Sequence, residues 1–369
     1  MNSVKEYKDL VAFHPGYYIA EIIEDMGISQ AEFAMRLGTN TKTLSYLLNS
    51  QANITNDLAK KLSVMMGTSP DVWLNLQTAY DRKMIEIQQE KDFDEQAEIV
   101  KLIDYKYFVD VAGLPLTKEI KEKIAYLCSW LKVADLRVLL KQDFLVNYRT
   151  EICDANEKNV INSRAWIQTA INFSNEIETK PYNAEKLKSN LPELRSMTVL
   201  APEEFLPRMR DLLAECGIAF VLLPNLKNSS VNGAVKWMND KKAVLAMNNQ
   251  RCDAEIFWQS LFHEIKHVMQ RKIKTLFVNY GEEELVEVNM ELEEDADKFA
   301  KNCLIPLAYL KKLSPEKFKS DDEIIAFAKA IGIHPGIVAE RLQQDGILMS
   351  NRSAKFKEKY DLKSFVLNR

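Results

Sequence analysis

The motif His-Glu-Ile-Lys-His at residues 263–267 constrains this chain most, because its chemistry requires a helix. Residues four apart lie on one helix face, so the imidazoles of His263 and His267 can reach one metal ion. Glu264 lies beside them, where its carboxylate can take a proton from a water activated by the metal. The pattern therefore predicts a zinc site with Glu264 as the base; a helix that carries two surface histidines is the alternative.

A catalytic zinc site needs three protein ligands, and the remaining histidines do not supply the third. The chain has four histidines, and His14 and His334 lie far from the motif, each in a His-Pro-Gly turn. Segment 281–302 is instead unusually acidic and has the pattern of a second helix. A carboxylate from this helix is therefore the better candidate for the third ligand.

One face of the acidic helix singles out a ligand. Glu293, Ala296, Asp297 and Ala300 share that face, and the small alanines allow close packing against the first helix. Glu293 is therefore the predicted third ligand, and Asp297, one turn on, is predicted to hold the free N–H of a ligand histidine. Glu294, about 100° away around the helix, is the alternative.

These residues resemble the ImmA/IrrE family of metallopeptidases. The resemblance rests on FHEIKH, the later E-x-x-A-D-x-F-A with the LIP that follows, the strand GIAFVLLP and the closing IGIHPGIVAERLQQ, over about 180–345. It implies a Zn²⁺-dependent endopeptidase that acts on a repressor or antitoxin partner. For this chain we expect the substrate to be a repressor, a toxin or the chain itself. Matched to this chain, His263, His267 and Glu293 would bind zinc, and Glu264 would be the catalytic base.

Two residues depart from the family pattern. Asp295 stands where the family often has Glu, and Lys266 replaces a frequent Gly within the motif, which adds a cation near the metal helix. Hydrolysis also needs a donor for the tetrahedral oxyanion. Tyr280, just before the acidic helix, is the candidate.

A second pattern, over residues 27–49, predicts two short helices joined by a tight turn. Ser29 and Glu32 have the spacing of a capping box, Gly38 ends the first helix, and Thr39 is the predicted cap of the next. Polar and cationic side chains on the exposed face of the second helix, with one at the start of the first, are predicted to contact DNA. They are Gln30, Asn40, Thr41, Lys42, Ser45 and Tyr46.

The alternative for this pattern is an ordinary helical hairpin with a solvated polar face. Residues 1–80 carry six basic and eight acidic side chains, so general attraction to phosphate is weak and any DNA contact must be local. The segment from His-Pro-Gly at 14–16 to WLNLQ at 73–77 nevertheless resembles the helix-turn-helix domain of HigA-type antitoxins. That resemblance implies a homodimer that binds a double-stranded DNA operator, often its own, and has a toxin as partner.

Composition excludes several other classes. The 369 residues are 47% hydrophobic and 28% charged with a net charge of -4, values that exclude a basic nucleic-acid coat or a polybasic membrane binder. The five cysteines form no C-x-x-C pair, which argues against a disulfide framework or a cysteine zinc ribbon. The chain shows neither a signal peptide nor a membrane-spanning run, so we expect a cytoplasmic protein without a membrane partner.

The expected fold is mostly α with a small β-sheet, an α+β class. We expect a helix-turn-helix domain at 1–95, a helical connecting region at 96–195 and a zincin-like metallopeptidase domain at 196–369. Strands are predicted at 217–224, 233–238 and 242–247, and a linker at 90–96. The combined expectation is a DNA-binding regulator or antitoxin with a peptidase domain; the alternative is a non-proteolytic antitoxin whose zinc-type domain only binds a partner protein.

Overall fold

The computed structural model describes residues 3–141, 156–250, 252–270, 282–310, 318, 320–362 and 365, of which 282–290, 310 and 350–351 are described by backbone alone. The chain divides into two compact units, Met1–Glu98 and Ile99–Arg369. Among the described residues, none of the helices combines the length and apolar character needed to cross a bilayer. The predicted α+β class is confirmed.

The first unit is a small helical core preceded by a β-hairpin. Its largest fully buried side chains include Phe33, Leu44, Leu47 and Leu62, which come from three helices and belong to one apolar core. The elements are β1 Val4–Tyr7, β2 Leu10–Phe13, α1 Pro15–Asp25, α2 Gln30–Arg36, α3 Thr41–Leu48, α4 Asn56–Met66 and α5 Pro70–Leu102.

The predicted pair of short helices is present as α2 and α3, but two details of its capping differ. Ser29 Oγ accepts from the backbone N–H of Glu32 at 3.1 Å, whereas the Glu32 carboxylate pairs with Arg36 instead of closing the box. The predicted cap Thr39 was wrong, because Asn40 Oδ1 accepts from the N–H of Thr43 at 2.8 Å. Asn40 stands directly before the first helical residue, so its side-chain oxygen can reach that orphan donor, as N-caps commonly do.

The sequence pattern did not predict β1 and β2, and its linker at 90–96 lies inside α5. The two features contact each other. Lys8, at the turn of the hairpin, forms an ion pair of 2.7 Å with Asp94, and the Tyr7 hydroxyl donates to the same carboxylate. The charged stretch is therefore a helical surface against which the hairpin lies, and not a linker.

The second unit is built around a three-stranded sheet. Its strands, β3 Ile218–Leu223, β4 Gly233–Asn239 and β5 Lys242–Asn248, confirm the three predicted strands. The strand order is β3-β5-β4, with β3 parallel and β4 antiparallel to the central β5. Alternate residues point to opposite faces, so one sheet serves two helical layers.

Each face of the sheet packs into its own apolar core. Ile218, Phe220 and Leu245 belong to one core, and Val221, Leu223 and Val244 belong to the other. The helices, in chain order, are α6 Tyr105–Ala112, α7 Ile120–Leu131, α8 Glu157–Ser174, α9 Ala184–Ser196, α10 Pro202–Glu215, α11 Ala254–Met269, α12 Glu282–Leu304, α13 Leu307–Leu310, α14 Asp321–Ile331, α15 Pro335–Gln344 and α16 Ser350–Ser353.

The two His-Pro-Gly turns are helix caps. His14 Nδ1 accepts from the N–H of Gly16 at the start of α1, and His334 Nδ1 accepts from Gly336 at the start of α15, both at 3.0 Å. A Cβ on Gly16 would lie 2.1 Å from the carbonyl oxygen of Leu47, so only glycine fits there. Each of these two histidines therefore caps the helix that follows it.

Candidate metal centre and DNA-recognition helix

Both histidines of the motif project from one face of α11, as residues four apart must. Their Nε2 atoms lie 2.9 Å apart, and the rings meet edge to face with centroids 4.6 Å apart. His267 is buried, and the His263 side chain is one-fifth exposed. The pair therefore faces a single point that is largely shielded from solvent.

Helix α12 brings a carboxylate to the same point. Glu293 Oε2 lies 3.1 Å from His263 Nε2, and its Oε1 lies 3.3 Å from His267 Nε2. The ligand atoms of the three side chains all lie within 4.8 Å of one another. The alternative residue Glu294 is instead mostly exposed and forms an ion pair with Lys298. The structure thus brings Glu293, and not Glu294, to the histidines.

The second nitrogen of each imidazole ring, Nδ1, also has a hydrogen-bond partner. His263 Nδ1 lies 2.8 Å from Asp297 Oδ1, and His267 Nδ1 lies 2.9 Å from Gln270 Oε1. Both partners are acceptors, so each Nδ1 carries a proton and donates it. Each Nε2 is then the atom available to a metal. Asp297 and Gln270 orient the two rings in the way that hydrogen-bond partners commonly orient zinc-binding histidines.

The electrostatics of the cluster suit a cation. Burial alone would lower the pKa of His263, but its hydrogen bonds to Asp297 and Glu293 raise that pKa to about 10. Burial would raise the pKa of Glu293, but hydrogen bonds from both histidines lower it to about 2. A carboxylate between two imidazoles thus favours positive charge at this point, and the donor set of two imidazoles and a carboxylate matches what Zn²⁺ prefers.

The carboxyl group of Glu264 lies on the inner side of α11, against the sheet. Glu264 is 7% exposed, and its Oε2 has no hydrogen-bond partner among the described residues. A Cβ on Gly233, the first residue of β4, would lie 2.5 Å from Glu264 Oε1, so glycine leaves room for the carboxyl group. Burial raises the pKa of Glu264 to about 7, although both histidines act to lower it. A carboxyl group with this pKa can accept and release a proton at neutral pH.

The two departures from the family pattern contact each other. Lys266 Nζ forms an ion pair of 3.0 Å with Asp295 Oδ2 and lies over the ring of Phe299. The added cation is therefore neutralised outside the cluster. Gln270 donates to the same Asp295 oxygen at 2.9 Å. Asp295 thus orients both Lys266 and the amide that holds His267.

Sequence reasoning missed Gln270. It ends α11 three residues after His267, and its Nε2 donates to the carbonyl of Leu292 on the neighbouring helix at 3.1 Å. Only the packing of α12 against α11 turns its Oε1 toward the imidazole, so no local signal marks it. Tyr280, the candidate oxyanion donor, lies outside the described residues.

The predicted DNA-contact residues lie together on the short-helix pair. Asn40, Thr41 and Lys42 are exposed at the start of α3, and Gln30 is exposed at the start of α2. Tyr46 is 44% exposed, with Lys42 Nζ 5.7 Å from its ring centroid, and Ser45 is half-buried beside Asn49. The N-terminal half of α3 therefore presents the surface that a recognition helix offers to a groove.

Comparisons with known proteins find similar sequences for the N-terminal segment. The helix-turn-helix family model matches residues 19–73. The HTH-type transcriptional regulator YddM of Escherichia coli is 42% identical over 66 residues, which are 18% of this chain and 70% of that protein. Antitoxin HigA-1 of Vibrio cholerae is 38% identical over 61 residues, 16% of this chain and 57% of the relative. A structure of the Pseudomonas aeruginosa antitoxin HigA with the higBA promoter is 29% identical, with a TM-score of 0.21, and covers 21% of this chain and 87% of that one.

Two capped helices around a glycine turn, with a polar exposed second helix, define a helix-turn-helix protein. The chain belongs to the helix-turn-helix family of transcriptional regulators.

Proposed function

We propose that this chain is a DNA-binding regulator of antitoxin type that also carries a zinc-dependent endopeptidase site of the ImmA/IrrE kind. The DNA-binding half is supported by the family match and by the exposed start of α3. The peptidase half is carried by one observation: two Nε2 atoms and the Glu293 carboxylate surround one point, and Glu264, beside His263 on α11, has an Oε2 without a hydrogen-bond partner among the described residues.

The residues of the site would have separate roles in peptide hydrolysis. Bound Zn²⁺ would polarise a scissile carbonyl and lower the pKa of an attacking water. Asp297 and Gln270 hold the two imidazoles in the tautomer that presents Nε2. Glu264 Oε2 accepts the proton from the water and passes it to the leaving amine, a transfer for which a pKa of about 7 is well placed. The peptide substrate would belong to a repressor, a toxin or this chain itself.

Replacing Lys42 with Ala is expected to weaken operator binding. Lys42 is an exposed cation on α3, so it can neutralise one phosphate. Its loss should reduce the slope of log affinity against log salt by about 1. Binding of the full chain to the promoter of its own gene is measured at several salt concentrations by fluorescence anisotropy.

The control for Lys42 is Lys83→Ala, which removes the same charge from α5, where Lys83 pairs with Glu86. Its salt slope should equal that of the unmodified chain. An unchanged slope for Lys42→Ala would count against α3 as the DNA-contacting helix.

Replacing Gln270 with Ala is expected to weaken zinc affinity by about 10- to 100-fold. The variant leaves all three proposed ligands in place but removes the acceptor that fixes His267. Affinity is measured by competition with a chromophoric chelator, and Glu294→Gln is the control because Glu294 faces away from the histidines. Equal zinc affinities in the two variants would exclude Gln270 from the site.

Zinc binding is expected to release close to one proton at neutral pH. The pKa of His263 is raised to about 10, so its Nε2 is protonated before the metal binds. Apparent affinity should therefore rise about tenfold per pH unit between about pH 7 and 8.5, a range where histidines of ordinary pKa give no slope. Calorimetry in buffers of different ionisation enthalpy counts the protons. A flat affinity over this range would show that His263 binds metal without losing a proton.

A further inference from the structure

The apolar face of α11 that packs against the sheet contains one acid. Phe257, Leu261, Glu264 and Val268 recur at intervals of three and four, so they share one face of the helix. The three apolar members are at most 1% exposed and belong to the core on this side of the sheet. Glu264 therefore occupies a position at which the pattern of the helix predicts an apolar side chain.

The sheet has a notch opposite this acid, formed by Gly233 at the start of the edge strand β4. A Cβ on Gly233 would lie 2.5 Å from Oε1 of Glu264, and 2.9 Å from both its Cδ and its Cγ. All three distances are shorter than van der Waals contact allows, and they involve most of the side chain. The carboxyl group of Glu264 thus fills the space that a side chain at position 233 would occupy.

The backbone conformation does not require glycine at this position. Gly233 is not among the glycines with positive φ, and it pairs with Met247 as an ordinary strand residue. An alanine could therefore adopt the same backbone conformation. The three atoms nearest to the added Cβ all belong to Glu264, so the need for glycine comes from that side chain.

The Glu264 side chain is the part of this contact that can move. Ala234 and Val235, which follow Gly233 in β4, are 2% and 5% exposed, and Leu261 and Val268 of α11 are fully buried. Close packing of this kind holds both the strand and the helix in place. A side chain at position 233 would therefore turn the carboxyl group away from the sheet. Misplacement of a reacting group by about 1 Å can lower a rate by about 100-fold.

We propose that Gly233 is a positioning residue for Glu264: because it lacks a side chain, it fixes the place at which the carboxyl group of the base is held. The inference rests on the proposed peptidase function, in which Glu264 moves the proton from water to the leaving amine. Gly233 acts on the reaction through Glu264, and not through the proposed metal ligands.

Gly233→Ala is expected to lower kcat of the zinc-loaded chain at least about tenfold, with KM within about threefold and zinc content unchanged. A change that acts only on the base lowers kcat without loss of metal, whereas general damage to the fold would reduce the zinc content as well. Asn239→Ala, at the exposed far end of β4, is the control and should cleave normally. Full kcat in Gly233→Ala would overturn the proposal.

A double-mutant cycle tests the same contact without cleavage. Melting temperatures of the full chain in buffer with EDTA are measured by calorimetry for Gly233→Ala, Glu264→Ala and the double variant. The methyl group added at position 233 fills space that Glu264→Ala vacates, so the double variant should melt at least about 2 °C above the sum of the two single effects. Any effect of alanine on the strand itself is common to both backgrounds and cancels. Additive effects within about 1 °C would overturn the proposal.

The two measurements separate this inference from the proposed function. If the unmodified chain cleaves no candidate but the melting temperatures are not additive, the peptidase proposal fails and Gly233 remains the residue that positions Glu264. If the unmodified chain cleaves and the melting temperatures are additive, the inference about Gly233 fails alone.

Discussion

The Glu264→Gln chain is expected to lose peptide hydrolysis, with kcat lower by about 10²- to 10⁴-fold. Glutamine has nearly the same shape but cannot take a proton from water. Its uncharged amide fits the buried position against Gly233, so the fold, zinc content and operator binding should be retained. Loss of hydrolysis with unchanged fold, zinc content and operator binding would identify Glu264 as the base, since a structural role would change the fold or the metal content as well.

Cleavage is followed by mass spectrometry of the full zinc-loaded chain, alone and with the protein encoded beside it. Glu294→Gln is the matched control, because it removes an exposed carboxylate from the neighbouring helix and should cleave normally. If neither the unmodified chain nor the variant cleaves any candidate, the peptidase proposal is contradicted. The alternative of a non-proteolytic antitoxin whose zinc-type domain binds a partner is then favoured.

The second large effect is expected for Glu293→Gln, which should weaken zinc binding by more than about 100-fold. Its carboxylate contacts both Nε2 atoms, at 3.1 and 3.3 Å, so this one change removes a ligand and the negative charge that holds the pair. Loss of a direct ligand should exceed the effect of an outer partner such as Gln270. Zinc retained after dialysis is measured by elemental analysis and related to chain concentration.

Glu294→Gln again provides the comparison, because the two residues are adjacent in sequence and differ only in the helix face they occupy. It should keep the zinc affinity of the unmodified chain, with circular dichroism confirming that both variants fold. Equal loss in both variants, or loss in Glu294→Gln alone, would reverse the assignment of the third ligand.

The spacing of residues along the sequence was sufficient to predict which side chains form the metal cluster. The interval of four between His263 and His267 determines their common face, and the same interval places Glu293 and Asp297 on one face of α12. The three strands of the second unit were likewise evident from short apolar runs between turn residues. In each case the sequence signal lies within a single helix or strand.

Features that depend on contacts between distant segments were not predictable in this way. Gln270 acts on His267 only because α12 packs beside α11, and the contact of Asp94 with Lys8 joins segments more than eighty residues apart.

Zinc content and coordination in the full chain test the central claim most directly. Purified protein should contain about one zinc per chain, with an X-ray absorption spectrum that shows two imidazole nitrogens and carboxylate oxygen around the metal. The His267→Ala variant should retain almost none. Zinc-free protein that takes up no stoichiometric metal, or zinc retained in full by the His267 variant, would contradict the metal centre.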